Sequence, residues 1–239
     1  MPVLQVVSRE GDAGFTLLEL LVSITIVSLL ATTALMAWRV GASGWQKANE
    51  RLARDRAVLA VHQLLEEQMA AMVPYQALPP KGAKELFFQG EPQTARFVSR
   101  YSLGQRMRSG LYLVEYQVAE RPGGTRLLLL NEWPVSSQEA LGAWLLGTET
   151  SPQGKILRFS AFERGPQTVL LLDGLQECGF EYYRAGTPLK PGVWTEQWTA
   201  LDDELPRAMR IRAVAPAESG KLTPVSVVAA VRHFSRKRE

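Results

Sequence analysis

The sequence predicts an α+β chain: one long N-terminal helix, apolar in its first half and amphipathic in its second, packed on an antiparallel β-rich head. Three observations predict it. Residues 15–38 form an apolar run whose one acidic residue is Glu19. Residues 39–73 carry apolar side chains at helical spacing, up to Pro74. From residue 80 the pattern changes to short strand-like segments bounded by glycine, proline and polar turns. The 239 residues are 46% hydrophobic and 21% charged, a globular balance, and the chain is long enough to bury a core without staples. The single cysteine, Cys178, forms no internal disulfide and leaves the redox compartment open. Net charge is only +3, and the basic tail "SRKRE" reads as a solvated end, so no nucleic-acid partner is expected.

The run Phe15–Trp38 has 24 residues. At ~1.5 Å per residue it reaches ~36 Å, enough to cross a hydrocarbon core of ~30 Å. A cleaved secretory signal fits poorly, because the small-residue junction "GDAG" precedes the apolar run instead of following it. A plain anchor fits the length but leaves Glu19 unexplained. An intramembrane carboxylate costs about 2.5–3.5 kcal/mol on insertion scales and is a functional candidate by default.

Residues 14–24, "GFTLLELLVSI", resemble the class III signal of type IV pilins and type II secretion pseudopilins. The resemblance implies cleavage by a prepilin peptidase between Gly14 and Phe15 and methylation of the new Phe15 amine. Residues 1–14 are then the leader and 15–38 a retained transmembrane helix. Glu19, the fifth mature residue, becomes an assembly residue. An N-terminal amine is a cation at neutral pH, and pairing with a neighbouring subunit's amine would set axial register; such pairs serve specificity more than net stability. Two features depart from the family pattern. In the leader, Arg9 is opposed by Glu10 and Asp12, while Arg39, Lys47, Arg51, Arg54 and Arg56 follow the span. Orientation therefore rests on the motif and not on the positive-inside rule.

Beyond the span, Gly41 and Gly44 are expected to bend or melt the helix, each costing ~1 kcal/mol relative to alanine. Leu52, Val58, Leu59, His62, Leu65, Met69 and Met72 then read as one stripe packed on the protein's own sheet, with His62 a packed histidine. Residues 39–73 would form the second half of the long helix and 74–239 the head. Within the head, "ELFFQG", "TARFVSR", "GLYLVEYQVAE" and "TRLLLLNEW" read as strands, with Tyr112, Val114, Tyr116 and Val118 on one face. "ERPGGTR" signals a hairpin. "VSSQEALGAWLLG" reads as a short helix capped by Ser136 or Ser137, with Glu139 in its first turn. Strands are expected again in "KILRFSAF", "TVLLLDG", "CGFEYYRA", "VWTEQW", "AMRIRAV" and "PVSVVAAVRHF".

The end of the head resembles the end of type II secretion protein J, a minor pseudopilin. An apolar strand Leu172–Leu175 precedes the aromatic strand Phe180–Tyr183 and a turn holding Trp194 and Trp198. Leu205, Pro206, Ala208 and Ile211 then match "LP-x-A-x-x-I/V". Retention of Glu19 argues against the tip subunit, which typically lacks that carboxylate. The resemblance implies a subunit in the inner membrane with its head in the periplasm, placed at or near the tip of a pseudopilus and nucleating its assembly for protein export. Its partners would be prepilin peptidase, other minor pseudopilins, the major pseudopilin and, as a further candidate, a secreted substrate. The alternatives are a minor pilin of a type IV pilus and a membrane-tethered domain binding an exoprotein or glycan.

Catalysis is not expected. With only His62 and His233, far apart and unlike in setting, a histidine-based triad is poor. No phosphate loop, Cys-x-x-Cys or dinucleotide fingerprint occurs, so no cofactor is expected. "LDDEL" (201–205) offers oxygens for calcium but reads better as a charged surface loop. "PGVWTEQW" reads as aromatics covering a sheet edge, with sugar or peptide stacking the alternative. Cys178 reads as a small core residue.

Overall fold

The computed structural model describes residues 16–104, 110–151, 154–198, 204–214 and 225–231. Contacts divide the chain into two units, residues 1–55 and 56–239.

Helix α1 (Leu17–Ala70) begins behind Thr16, whose hydroxyl accepts from the Glu19 amide at 3.3 Å. "TLLE" thus has the spacing of a capping box. The helix does not melt at the glycines: α1 continues through Gly41 and Gly44. A side chain at either position would meet nothing within 4 Å, so neither glycine is required by packing. Their intrinsic cost is small against the cooperativity of a helix this long.

The docking stripe also differs from expectation. Leu64, Leu65, Gln68, Met69 and Met72 are buried and Val61 partly so, whereas Leu52 and Leu59 are 50% and 67% exposed. Leu59 and Leu65 are six residues apart, a rotation of about 240°, so they cannot share a face. His62 follows Leu59 out: its side chain is 43% exposed, with Nδ1 4.0 Å from Glu66. The residue as a whole is partly buried, at the margin of the docked face. The helix ends before Pro74 because Val73 donates to the Val98 carbonyl (2.9 Å), beginning the passage into the sheets.

In the head, β1 (Gln76–Ala77) pairs with β2 (Glu85–Leu86). β3 (Phe88–Gly90), β4 (Thr94–Ser99), β5 (Tyr112–Glu120) and β6 (Arg126–Pro134) run antiparallel in chain order. The expected hairpin joins β5 to β6. Gly123 (φ 108°) and Gly124 (φ 79°) supply the left-handed backbone there, and Glu120 lies opposite Arg126. The expected helix near residue 140 is shorter than the reading. α2 (Gln138–Gly142) is capped by Ser137, whose hydroxyl accepts from Ala140 N at 3.1 Å, and Glu139 sits in its first turn. Residues 145–147 leave the helix because β7 (Leu145–Ser151) pairs with β8 (Gly154–Phe159), burying Leu145 and Leu157. β9 (Val169–Leu175) then returns beside β6 and completes a five-stranded sheet.

A second antiparallel sheet has the order β11 (Val193–Thr195), β10 (Glu177–Arg184), β12 (Ala208–Val214), β13 (Val225–Ala230). The sheets meet where Trp198 donates to the Gly90 carbonyl at 2.8 Å. A Cβ on Gly90 would stand 2.7 Å from that of Trp198, so only glycine fits. Val114, Tyr116 and Val118 of β5 enter the main core with Leu65, Met69, Phe97 and Phe180. Tyr112 is also buried. The other face of the five-stranded sheet holds a second core around Phe87, Val98, Leu113 and Leu141.

Candidate functional site

Every described side chain from Thr16 to Asn49 is exposed, and the helical segment Leu17–Asn49 is long and apolar enough to cross a membrane. Its threonine hydroxyls bond to carbonyls of the same helix. Thr25 donates to the Val22 carbonyl (2.7 Å), Thr32 to Ser28 (2.7 Å) and Thr33 to Leu30 (2.9 Å), as hydrocarbon surroundings demand. Glu19 is different. It lies in the first turn of α1 and no cation pairs with it among the described residues. The positive end of the helix dipole favours a carboxylate there. Gly14 and Phe15 lie outside the described residues, as do His233, the tail "SRKRE" and residues 201–203.

The head holds two buried polar networks that the sequence reading missed. The register aligns Gln89, Arg96, Glu115 and Asn131 in one row across β3, β4, β5 and β6. Arg96 is 1% exposed and Glu115 fully buried. Arg96 Nε donates to Glu115 Oε1 at 2.5 Å, and Nη1 donates to Gln89 Oε1 (2.9 Å) and the Ser160 carbonyl (2.7 Å). Asn131 Nδ2 donates to Glu115 Oε2 (3.0 Å) and the Glu163 carbonyl (2.9 Å), and its Oδ1 accepts from Thr168 (2.8 Å). The row thereby fastens segment 160–168 to the sheet. Its carboxylate is occupied on both oxygens and faces no open site, so it serves architecture and not acid–base chemistry.

The second network docks α1. Gln68 is fully buried, donates to Glu132 and accepts from the Tyr116 hydroxyl. Glu132 also accepts from the Ser102 hydroxyl (2.8 Å) and from the amides of Leu103 (2.7 Å) and Gly104 (3.2 Å). Burial holds the Tyr116 hydroxyl well above its ordinary pKa, so it stays a donor. Sequence spacing offered one signal, a glutamine on the apolar stripe between Leu65 and Met69.

The aromatics of "PGVWTEQW" cover the sheet edge as expected. Trp194 lies 5.2 Å from Tyr183 with the Arg210 guanidinium 4.4 Å over its ring, and Trp198 is buried with Nε1 donating to the Glu204 carbonyl (3.0 Å). Among the described residues no group of three or more metal-ligating side chains occurs. Cys178 is buried and unpaired by disulfide, as a core residue. Burial pushes its thiol up from an ordinary 9.0 to about 12, with Arg126 opposing. A folded pKa above the unfolded one means its stabilising contribution is complete below about pH 9 and is lost as pH rises through about 12. Chemical unfolding should show a loss of about 1 kcal/mol between about pH 9 and pH 10 that Cys178→Ala removes. An unchanged slope in the variant would mean that Cys178 is not the group responsible.

A family model described as "Type II secretion system (T2SS), protein J" matches residues 40–219. A second, the prokaryotic N-terminal methylation motif, matches residues 11–35. No curated protein matches the chain.

Proposed function

The chain belongs to the protein J family of the type II secretion system, a family of structural minor pseudopilins, and on that premise we propose that it is a processed, non-catalytic subunit that helps start a pseudopilus. The methylation motif and one apolar N-terminal helix fit a single-pass membrane anchor. In this reading prepilin peptidase cuts between Gly14 and Phe15, residues 15–38 stay in the inner membrane, and the head faces the periplasm. Residues 39–73 extend the helix between the two, and residues 74–239 make up the head. Minor subunits associate near the fibre tip through their apolar helices and heads. That association offsets the entropy of gathering the first subunits, and adding the major pseudopilin then pushes the fibre outward.

The observation that carries the proposal is the pairing of Glu19, the sole charge in residues 15–38, with a methylation motif that would create a cationic amine four residues before it. A neighbour's amine can neutralise the carboxylate only when two helices stand in the correct axial register. Mass spectrometry of the membrane-extracted protein should therefore find an N-terminus at Phe15 carrying one methyl group. Gly14→Val should block the cut, because a branched side chain replaces the slim residue at the junction. An intact Met1 terminus in cells with active prepilin peptidase would overturn the proposal.

A further inference from the structure

The part of α1 just beyond the hydrocarbon-length segment has its own chemistry. Trp38 and Trp45 are 76% and 77% exposed. Seven residues place them within about 20° of the same direction and ~10.5 Å apart along the axis. Arg39, also exposed, lies about 100° around the helix from Trp38, and the exposed Lys47 lies on the side opposite the two indoles. From residue 20 to residue 49 there is no acidic side chain, so Arg39 has no acidic residue within helical reach, while Lys47 has Glu50 three residues on. Continuity of the helix through Gly41 and Gly44 keeps the four side chains in fixed relation.

Trp38 stands ~32 Å along the helix from Leu17, about one hydrocarbon thickness. Side chains on a helix lean toward its N-terminus. Those of Trp45 and Lys47 therefore lean back toward the bilayer from beyond its edge. Indoles favour the headgroup layer, and lysine and arginine stems reach to phosphates from either side of it. We propose that Trp38, Arg39, Trp45 and Lys47 form a headgroup collar that binds anionic lipid at the C-terminal end of the span. The occupant is lipid because the collar continues a membrane-crossing surface, carries charge opposite to a phosphate, and presents the two indoles in line with the bilayer normal. It holds the unassembled subunit at a set depth, independently of any fibre.

The test uses the full chain in vesicles of phosphatidylcholine and phosphatidylglycerol, with one lipid at a time brominated near the headgroup. The Trp45 signal is isolated as the difference between the wild type and Trp45→Phe. At equal mole fraction, brominated phosphatidylglycerol should quench Trp45 severalfold more than brominated phosphatidylcholine, each cation enriching anionic lipid about fivefold. Arg39→Gln with Lys47→Gln should bring the ratio to one while Trp45 stays shielded from aqueous acrylamide. These substitutions lie on exposed helix, and circular dichroism checks that the fold is unchanged. Equal quenching by both lipids in the wild type would overturn the proposal. So would a Trp45 open to acrylamide until a second pilin-like subunit is added, since a partner helix would then be the occupant.

Discussion

Arg96→Ala is expected to destabilise the head by about 3–5 kcal/mol, the cost of leaving one member of a buried ion pair without its partner. Glu115 has no access to water and retains only Asn131 as a side-chain donor. The lost guanidinium also releases the Ser160 carbonyl and Gln89. For a chain of this size the change lowers Tm by roughly 10 °C, measurable by thermal unfolding. Proteolysis should become faster within 160–168, the segment that the row fastens. The double variant Arg96→Leu with Glu115→Leu should recover much of the loss, because it removes both charges together and replaces them with apolar volume. A variant Arg96→Ala as stable as the wild type would show that the row contributes little. A double variant worse than the single would show that the row is needed for more than charge balance.

That row explains why the head was only partly legible in the sequence. Strand identity could be read locally: "GLYLVEYQVAE" and "TRLLLLNEW" alternate or run apolar, and "RPGGT" supplies the glycines that the turn requires. What aligns Arg96 with Glu115 and Asn131 is register, a relation among three strands that no single segment displays. A charge inside an alternating strand ordinarily points to solvent, and nothing local to Arg96 says that segment 160–168 covers it. The helix failed for a related reason. Leu52 and Leu59 repeat at sevens and Leu65, Met69 and Met72 at fours and threes, but six residues separate the two sets and turn them to different sides. The short helix at 138–142 was overextended because the pairing of Leu145 with Phe159 overrides local propensity.

The N-terminal motif was legible because it is a linear segment, so spacing alone carries it. Its glycine, phenylalanine and glutamate need no tertiary context. The same spacing places Thr16 as helix cap, accepting from the Glu19 amide, and puts the Glu19 side chain at the position from which a capping box reaches back, in addition to any role between subunits. The two roles separate by charge, since glutamine completes a capping box as well as glutamate does but cannot pair with an amine.

Crosslinking of Glu19 variants to partner pseudopilins in the membrane therefore tests the central claim most directly. Glu19→Val should leave processing and insertion intact, because valine removes an insertion penalty. Glu19→Gln should keep the helix start. Leu20→Val, one residue away on another face, is the control and should match the wild type. If Glu19 sets register by pairing with a neighbour's amine, both Glu19 variants lose crosslinks and secretion together. Even a pair contributing only about 1.4 kcal/mol would change the association constant about tenfold. Glu19→Gln crosslinking at the wild-type level would contradict the account and leave the carboxylate with the cap alone.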